Sequence, residues 1–175
     1  GLLSRLPLDR TGSRPLSTQE LVTATGLAVQ DASLTETEGR FVSRLLQLED
    51  LDVRDIMTPR TDAVTLGADD TRAGILELAA RRGHNRYPVM DGEVQRPSGV
   101  CHVKDLLTDN GGPAPARRLQ RDPIFVPESK SVAELLNEFR LGGQLMAFVV
   151  DEHGDFTGLV TLEDCIEALT GPWRD

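Results

Sequence analysis

The sequence predicts an α/β fold in which one small sheet-and-helix unit occurs twice, behind an N-terminal helical segment. Two alignments of the chain with itself carry this. Tyr87-Pro-Val-Met-Asp91 lies over Ala147-Phe-Val-Val-Asp151, and the same alignment sets Leu66 over Val126, Thr71 over Ser131 and Ile75-Leu76 over Leu135-Leu136. After a one-residue deletion, Gly99-Val-Cys-His-Val-Lys-Asp105 lies over Gly158-Leu-Val-Thr-Leu-Glu-Asp164. In both copies, short apolar runs of strand length alternate with residues at helical spacing.

Residues 1–16 carry Pro7, Gly12 and Pro15 among polar residues and read as linker. Residues 17–50 read as a helical linker. Ser17-Thr-Gln-Glu20 is a capping box, and the short helix it starts is expected to break at Gly26. Thr35-Glu-Thr-Glu38 starts a second helix, 35–48, with Phe41, Val42, Leu45, Leu46 and Leu48 at helical spacing. That helix either packs on the repeats or transmits motion to something upstream. The repeats occupy 51–110 and 116–171, separated by the loop Asn110-Gly-Gly-Pro-Ala-Pro115. In the second, strands are expected at 124–126, 147–151 and 157–160, and helices at 132–140 and 162–169. Asp151-Glu-His-Gly154 is the hairpin turn, with a glycine available for positive φ. Units this short have marginal cores. Two related units therefore pack face to face about a pseudo-twofold axis, with ligand sites in the clefts between them.

The composition narrows the function. Hydrophobic residues make up 39% of the chain and aromatics 4%, so the core is aliphatic. A net charge of -9 excludes a broad nucleic-acid surface, so no nucleic-acid partner is expected. An anionic ligand needs a local cluster, and arginine, which makes up nearly all the 19 basic residues, is the better phosphate fork. Cys101 and Cys165 form no CxxC pair and read as small buried thiols of a reducing compartment. No apolar run is long enough to span a membrane. There is no G-x-x-x-x-G-K-[ST] loop, G-x-G-x-x-G, G-x-S-x-G or H-E-x-x-H, and no catalytic residues are assigned.

The stretch Gly158–Asp164 is a strand that turns into a helix. Thr161 and Asp164 stand side by side at the helix N-terminus, either as a cap alone or also as partners for the two hydroxyls of a ribose. The equivalent corner has His102 where the second has Thr161. A bulky ring is a poorer cap and ribose partner, so one nucleotide site per chain is expected. His102 has no His or Cys partner at metal-ligand spacing, and no protein metal site is expected.

Val53-Arg-Asp-Ile-Met-Thr-Pro-Arg60, Arg86-Tyr-Pro-Val89, His102-Val-Lys-Asp-Leu-Leu107, Val149-Val-Asp-Glu152 and Gly158-Leu-Val-Thr-Leu-Glu-Asp164 together resemble the paired CBS domains of the CorC/CNNM (hemolysin-like) family of magnesium and cobalt efflux proteins. The resemblance covers about residues 17–171. It implies tandem CBS domains, 51–110 and 116–171, on the cytosolic side of the cell membrane, regulating a transporter whose transmembrane domain lies outside this sequence. It implies a homodimer and binding of ATP (or AMP or ADP), with Mg2+ entering through the phosphates. Thr161 and Asp164 would hold the ribose, and Thr58 and Pro59 would lie near the adenine. Arg60 either joins the phosphates or faces solvent. Asn85, Arg86, Tyr87 and Pro88, which lead into the central strand of the first repeat, would complete the nucleotide site. There Arg86 is a phosphate ligand or a surface ion-pair partner, and Tyr87 stacks on the base or fills the core. The alternative to a sensor is a structural dimerisation module with a vestigial nucleotide site.

Overall fold

The computed structural model describes residues 17–92 and 96–171. The 1–16 linker lies outside the described residues. The chain divides after Leu46 into two compact units.

The N-terminal unit is a pair of helices, α1 (Thr18–Gln30) and α2 (Glu36–Gln47). Ser17 and Glu20 form the expected capping box, with the Ser17 N–H donating to Glu20 Oε2 at 2.8 Å. Contrary to the expected break, α1 continues through Gly26 to Gln30. A helical glycine costs roughly 1 kcal/mol against alanine, and packing outweighs it. Val29 and Thr25, a turn apart on α1, lie over Gly39 of α2, where a Cβ would run into Val29 Cγ2. Thr35 and Glu38 cap α2, the Thr35 N–H donating to Glu38 Oε2 at 2.8 Å. Phe41 and Leu45, one turn apart, remain about half exposed.

The second unit holds both repeats. After a 3-10 turn at Leu48–Asp50 come α3 (Val53–Ile56), β1 (Thr58–Pro59), β2 (Leu66–Gly67), α4 (Arg72–Arg82), β3 (Arg86–Met90), β4 (Pro97–His102) and α5 (Val103–Thr108). Then α6 (Pro115–Leu119), β5 (Phe125–Pro127), α7 (Val132–Gly142), β6 (Met146–Val150), β7 (Phe156–Thr161) and α8 (Leu162–Thr170) complete it. The repeated order of strand, helix, hairpin and helix matches the expectation. The expected loop is shorter than read: Pro115, pre-set for helix at the first position, opens α6.

The strands form two sheets, β2-β3-β4 and β1-β7-β6-β5. In each, the repeat's first strand runs parallel to its second, which pairs antiparallel with its third. Alternation sorts the side chains of every strand to two faces. Tyr87, Val89 and Cys101 go to the first core with Leu66, Ile75 and Leu106. Ala147, Val149, Val160 and Cys165 go to the second with Val132 and Leu135. Val100, Met146, Phe148, Phe156 and Leu159 form a third cluster, where side chains of the two sheets meet. Burial pushes the thiols up, Cys101 to about 11 and Cys165 to about 12, so both are neutral and unreactive.

One segment crosses over. Val53, Ile56 and Met57 open the first repeat but pack into the second core. Strand β1 pairs with β7, Thr58 opposite Leu159 and Pro59 opposite Gly158. Gly158 makes this possible, because a Cβ there would sit 2.5 Å from the Thr58 carbonyl oxygen. Gly99 does the same at the equivalent place: Arg121 bridges Val100, and a Cβ would sit 2.7 Å from the Arg121 carbonyl oxygen.

Candidate functional site: a cleft between the two repeats

Strand β7 ends at Thr161, and α8 starts at the next residue. The Thr161 hydroxyl accepts from the Asp164 N–H at 3.3 Å, and Asp164 Oδ2 accepts from the Thr161 N–H and hydroxyl, both at 2.7 Å. This is a capping box with aspartate in the return position. It consumes one carboxylate oxygen. Asp164 Oδ1 accepts no hydrogen bond among the described residues and stays available to donors such as sugar hydroxyls.

This corner forms one wall of a cavity of about 380 Å³. Six of the nine residues picked out by the sequence line it: Thr58, Asn85, Arg86, Pro88, Thr161 and Asp164. Thr58 arrives because β1 lies beside β7, and Arg86 and Pro88 because they alternate to the same face of β3.

The structure does not bring Tyr87, Pro59 and Arg60 to the cavity wall. Tyr87 is one residue out of phase with Arg86 and Pro88, and its ring is fully buried in the first core. The structure thus places Tyr87 in the core-filling position of the two readings. Burial raises its phenol above the usual value. Pro59 alternates away from Thr58 and is exposed. Arg60 is exposed too, its N–H donating to the Thr157 carbonyl at 2.8 Å as the chain turns out of β1.

Other cavity residues went unread in the sequence. The turn after β1 brings Asp62, Ala63 and Val64 to the wall, and Gly83 and His84 arrive from the end of α4. Met146, Leu159 and Glu163 complete it. Leu159 carried a signal, being in phase with Thr161. Glu163 faces Arg86 across the mouth, Oε1 to Nη1 at 3.7 Å, a loose contact with the carboxylate 69% exposed. Such exposed pairs contribute little. Arg86 Nε is buried with no partner among the described residues. The cavity thus joins an apolar floor, a hydrogen-bonding corner and an arginine only loosely neutralised, a set suited to an anionic ligand with a sugar or polyol part.

The equivalent position on the other side of the pair is nearly closed, a cavity of about 20 Å³ lined by Arg86, Val100, His102, Arg121, Gln144 and Met146 among others. His102 is the N-cap of α5 but makes no side-chain capping bond. Asp105, in the place of Asp164, is held by Arg121 at 2.8 Å. Burial, then Arg121 and Arg86, holds the His102 imidazole below its ordinary value, and hence neutral at pH 7. Among the described residues no group of three or more His, Cys, Asp or Glu side chains is placed to hold a metal ion.

Two α/β repeats with a ligand-sized cleft between them define a module of paired domains. The CBS domain family model matches residues 53–109 and 116–171. The chain belongs to the CBS domain family, as a CBS-domain pair of the CorC/CNNM type. It is 32% identical to the magnesium and cobalt efflux protein CorC of Escherichia coli K12, the match covering 100% of this chain and 61% of that protein. It superposes with a TM-score of 0.82 on the CBS domain of a bacterial CNNM/CorC family Mg2+ transporter, at 34% identity over 92% of this chain and 100% of the other. A structure of such a CBS domain in complex with ATP matches with a TM-score of 0.72 at 36% identity, over 78% of this chain and 99% of the other. The chain spans 37% to 63% of the length of curated relatives it matches. Among the described residues no helix is long and apolar enough to cross a membrane.

Proposed function

We propose that this CBS pair is the nucleotide-sensing regulatory part of a divalent-cation transporter, taking up ATP with Mg2+ in the cleft between its repeats. The observation that carries the reading is the cleft of about 380 Å³ that gathers Thr58, Arg86, Thr161 and Asp164 from both repeats. The ATP complex of a similar CBS domain supports it. Asp164 Oδ1 accepts from the ribose hydroxyls, and the Thr161 hydroxyl borders them. Thr58, Pro88 and Leu159 border the base. Asn85 and Arg86 meet the phosphates, and Mg2+ screens their charge against an acidic chain.

The module works as a homodimer on the cytoplasmic side of the membrane, with the membrane domain supplied outside this sequence. ATP biases one dimer arrangement by its differential affinity for the two, and α2 passes the change on. Calorimetry with ATP, with and without Mg2+, tests the binding. Saturable uptake of one ATP per chain, lost in Asp164→Ala and in Thr161→Ile, is expected. No heat at millimolar ATP would leave a structural dimerisation module with a vestigial site.

A further inference from the structure

The two clefts share a side chain. Arg86 lines the large cleft and also the small one. Its Cα stands opposite that of His102 in the β3–β4 pairing. Directly opposed residues of an antiparallel pair present their side chains on one face, with Cβ atoms about 5 Å apart, and His102 lines the small cleft with Arg86. The charges acting on His102 come from Arg86 on β3, Arg121 ahead of β5, and Lys104 and Asp105 on α5. Gly143, Gln144, Leu145 and Met146 close the small cleft without charge. Asp105 is already paired with Arg121 at 2.8 Å. Arg86 has Nε buried and unpartnered among the described residues, and only the 3.7 Å contact with exposed Glu163. His102 therefore stands in a surplus of positive charge that an anion beside Arg86 would cancel.

We propose that His102 is a proton-coupled sensor of the large cleft: an anionic ligand that neutralises Arg86 lets His102 take up a proton, so ligand and proton bind cooperatively. With ATP as the ligand, this rests on the nucleotide reading above. The sign is set by linkage. In the pH window where the complex holds more protons than the free protein, affinity rises as pH falls. The coupling is reciprocal: the ligand raises the His102 pKa by the same free energy by which the proton tightens the ligand. The direction matches the burial and the positive neighbours that hold the free imidazole neutral.

The protein has three histidines, and their ring NMR signals are separable with His84→Asn, His102→Asn and His153→Asn. Titrating pH with and without saturating Mg-ATP should raise the His102 pKa by roughly half a unit. Wild type should then bind ATP about threefold more tightly at acid than at alkaline pH, relative to His102→Asn. That variant carries the proton equilibrium of ATP itself, so the difference isolates His102. Without nucleotide, Arg86→Gln should raise the His102 pKa in the same direction, and inorganic triphosphate gives a second anionic probe. Bound ATP with an unmoved His102 overturns the proposal and leaves the nucleotide reading standing. If ATP fails to bind, the nucleotide reading falls, and two separate measurements decide, triphosphate on the wild type and Arg86→Gln without ligand: an upward shift of His102 supports the sensor, and an unmoved His102 overturns it.

Discussion

The two corners at Thr161 and His102 descend from one repeated pattern and do opposite things. Both lie at the end of a third strand whose glycine admits a foreign backbone, Gly158 under Thr58 and Gly99 under Arg121. Both have an aspartate three residues on. At Thr161 the hydroxyl caps the helix, and one oxygen of Asp164 faces an open cleft. At His102 the ring caps nothing, and Arg121 holds Asp105. The partner strand contributes as well: Asn85 and Arg86 on the open side correspond to Leu145 and Met146 on the closed side. A fold can thus keep a cleft's backbone twice while three or four side chains decide which copy stays open.

The largest expected break in this contrast is in ligand binding. Asp164→Ala should weaken ATP binding about a hundredfold, as lost hydrogen bonds to a charged group imply. Asp105→Ala should stay within about twofold of wild type, and calorimetry on the two variants decides. An equal loss in both would overturn the one-site reading.

Next come the paired glycines. Gly158→Ala drives a Cβ into the Thr58 carbonyl and should cost about 2–3 kcal/mol in urea denaturation. It should also weaken ATP binding, because Thr58 is displaced. Gly99→Ala should destabilise similarly, through the Arg121 carbonyl, and leave ATP affinity unchanged.

The caps give a smaller effect. Thr161→Ala should cost about 1 kcal/mol of stability. His102→Thr, by giving α5 the hydroxyl it lacks, should gain about 0.5 kcal/mol. Opposite shifts in the urea midpoint, the loss about twice the gain, are the expected outcome.

The smallest effect concerns how the repeats hold their second helices. Arg72 stands where the second repeat has the buried Val132. It pairs with Asp109 at 2.6 Å and donates to the Leu106 carbonyl at the end of α5. The Arg118 hydrogen bond, opposed in part by desolvation, holds the Asp109 carboxyl down at about 2. A depressed carboxylate contributes stability above its ordinary range, which is lost as pH falls through about 4 toward 2. Asp109→Asn should therefore be less stable than wild type above about pH 4, and the difference should shrink as pH falls through that window, which flattens the acid limb. Denaturation series at several pH values check this.

The repeated order of strands and helices was legible because period-2 and helical runs recur in register. Period also bore on the site. Arg86 and Pro88 share a face that Tyr87 cannot, so strand alternation alone would have sent Tyr87 to the core. The helix through Gly26 was not legible, because the glycine's local cost is outweighed by Val29 packing on Gly39. Nor was the role of Arg121, which no motif marks and which acts through a bridge to a distant strand.

The two α/β repeats, their family and the Thr161–Asp164 corner can all be read from the residues in order. They rest on periodicity, turn chemistry and capping, which are local. The crossing of β1 to the second sheet, which brings Thr58 beside β7, emerges only in three dimensions. So do the contrast between an open cleft and its shut twin, and the place of Arg86 on the border of both. Those outcomes depend on which side chains meet across two packed sheets, and local sequence does not encode such long-range contacts.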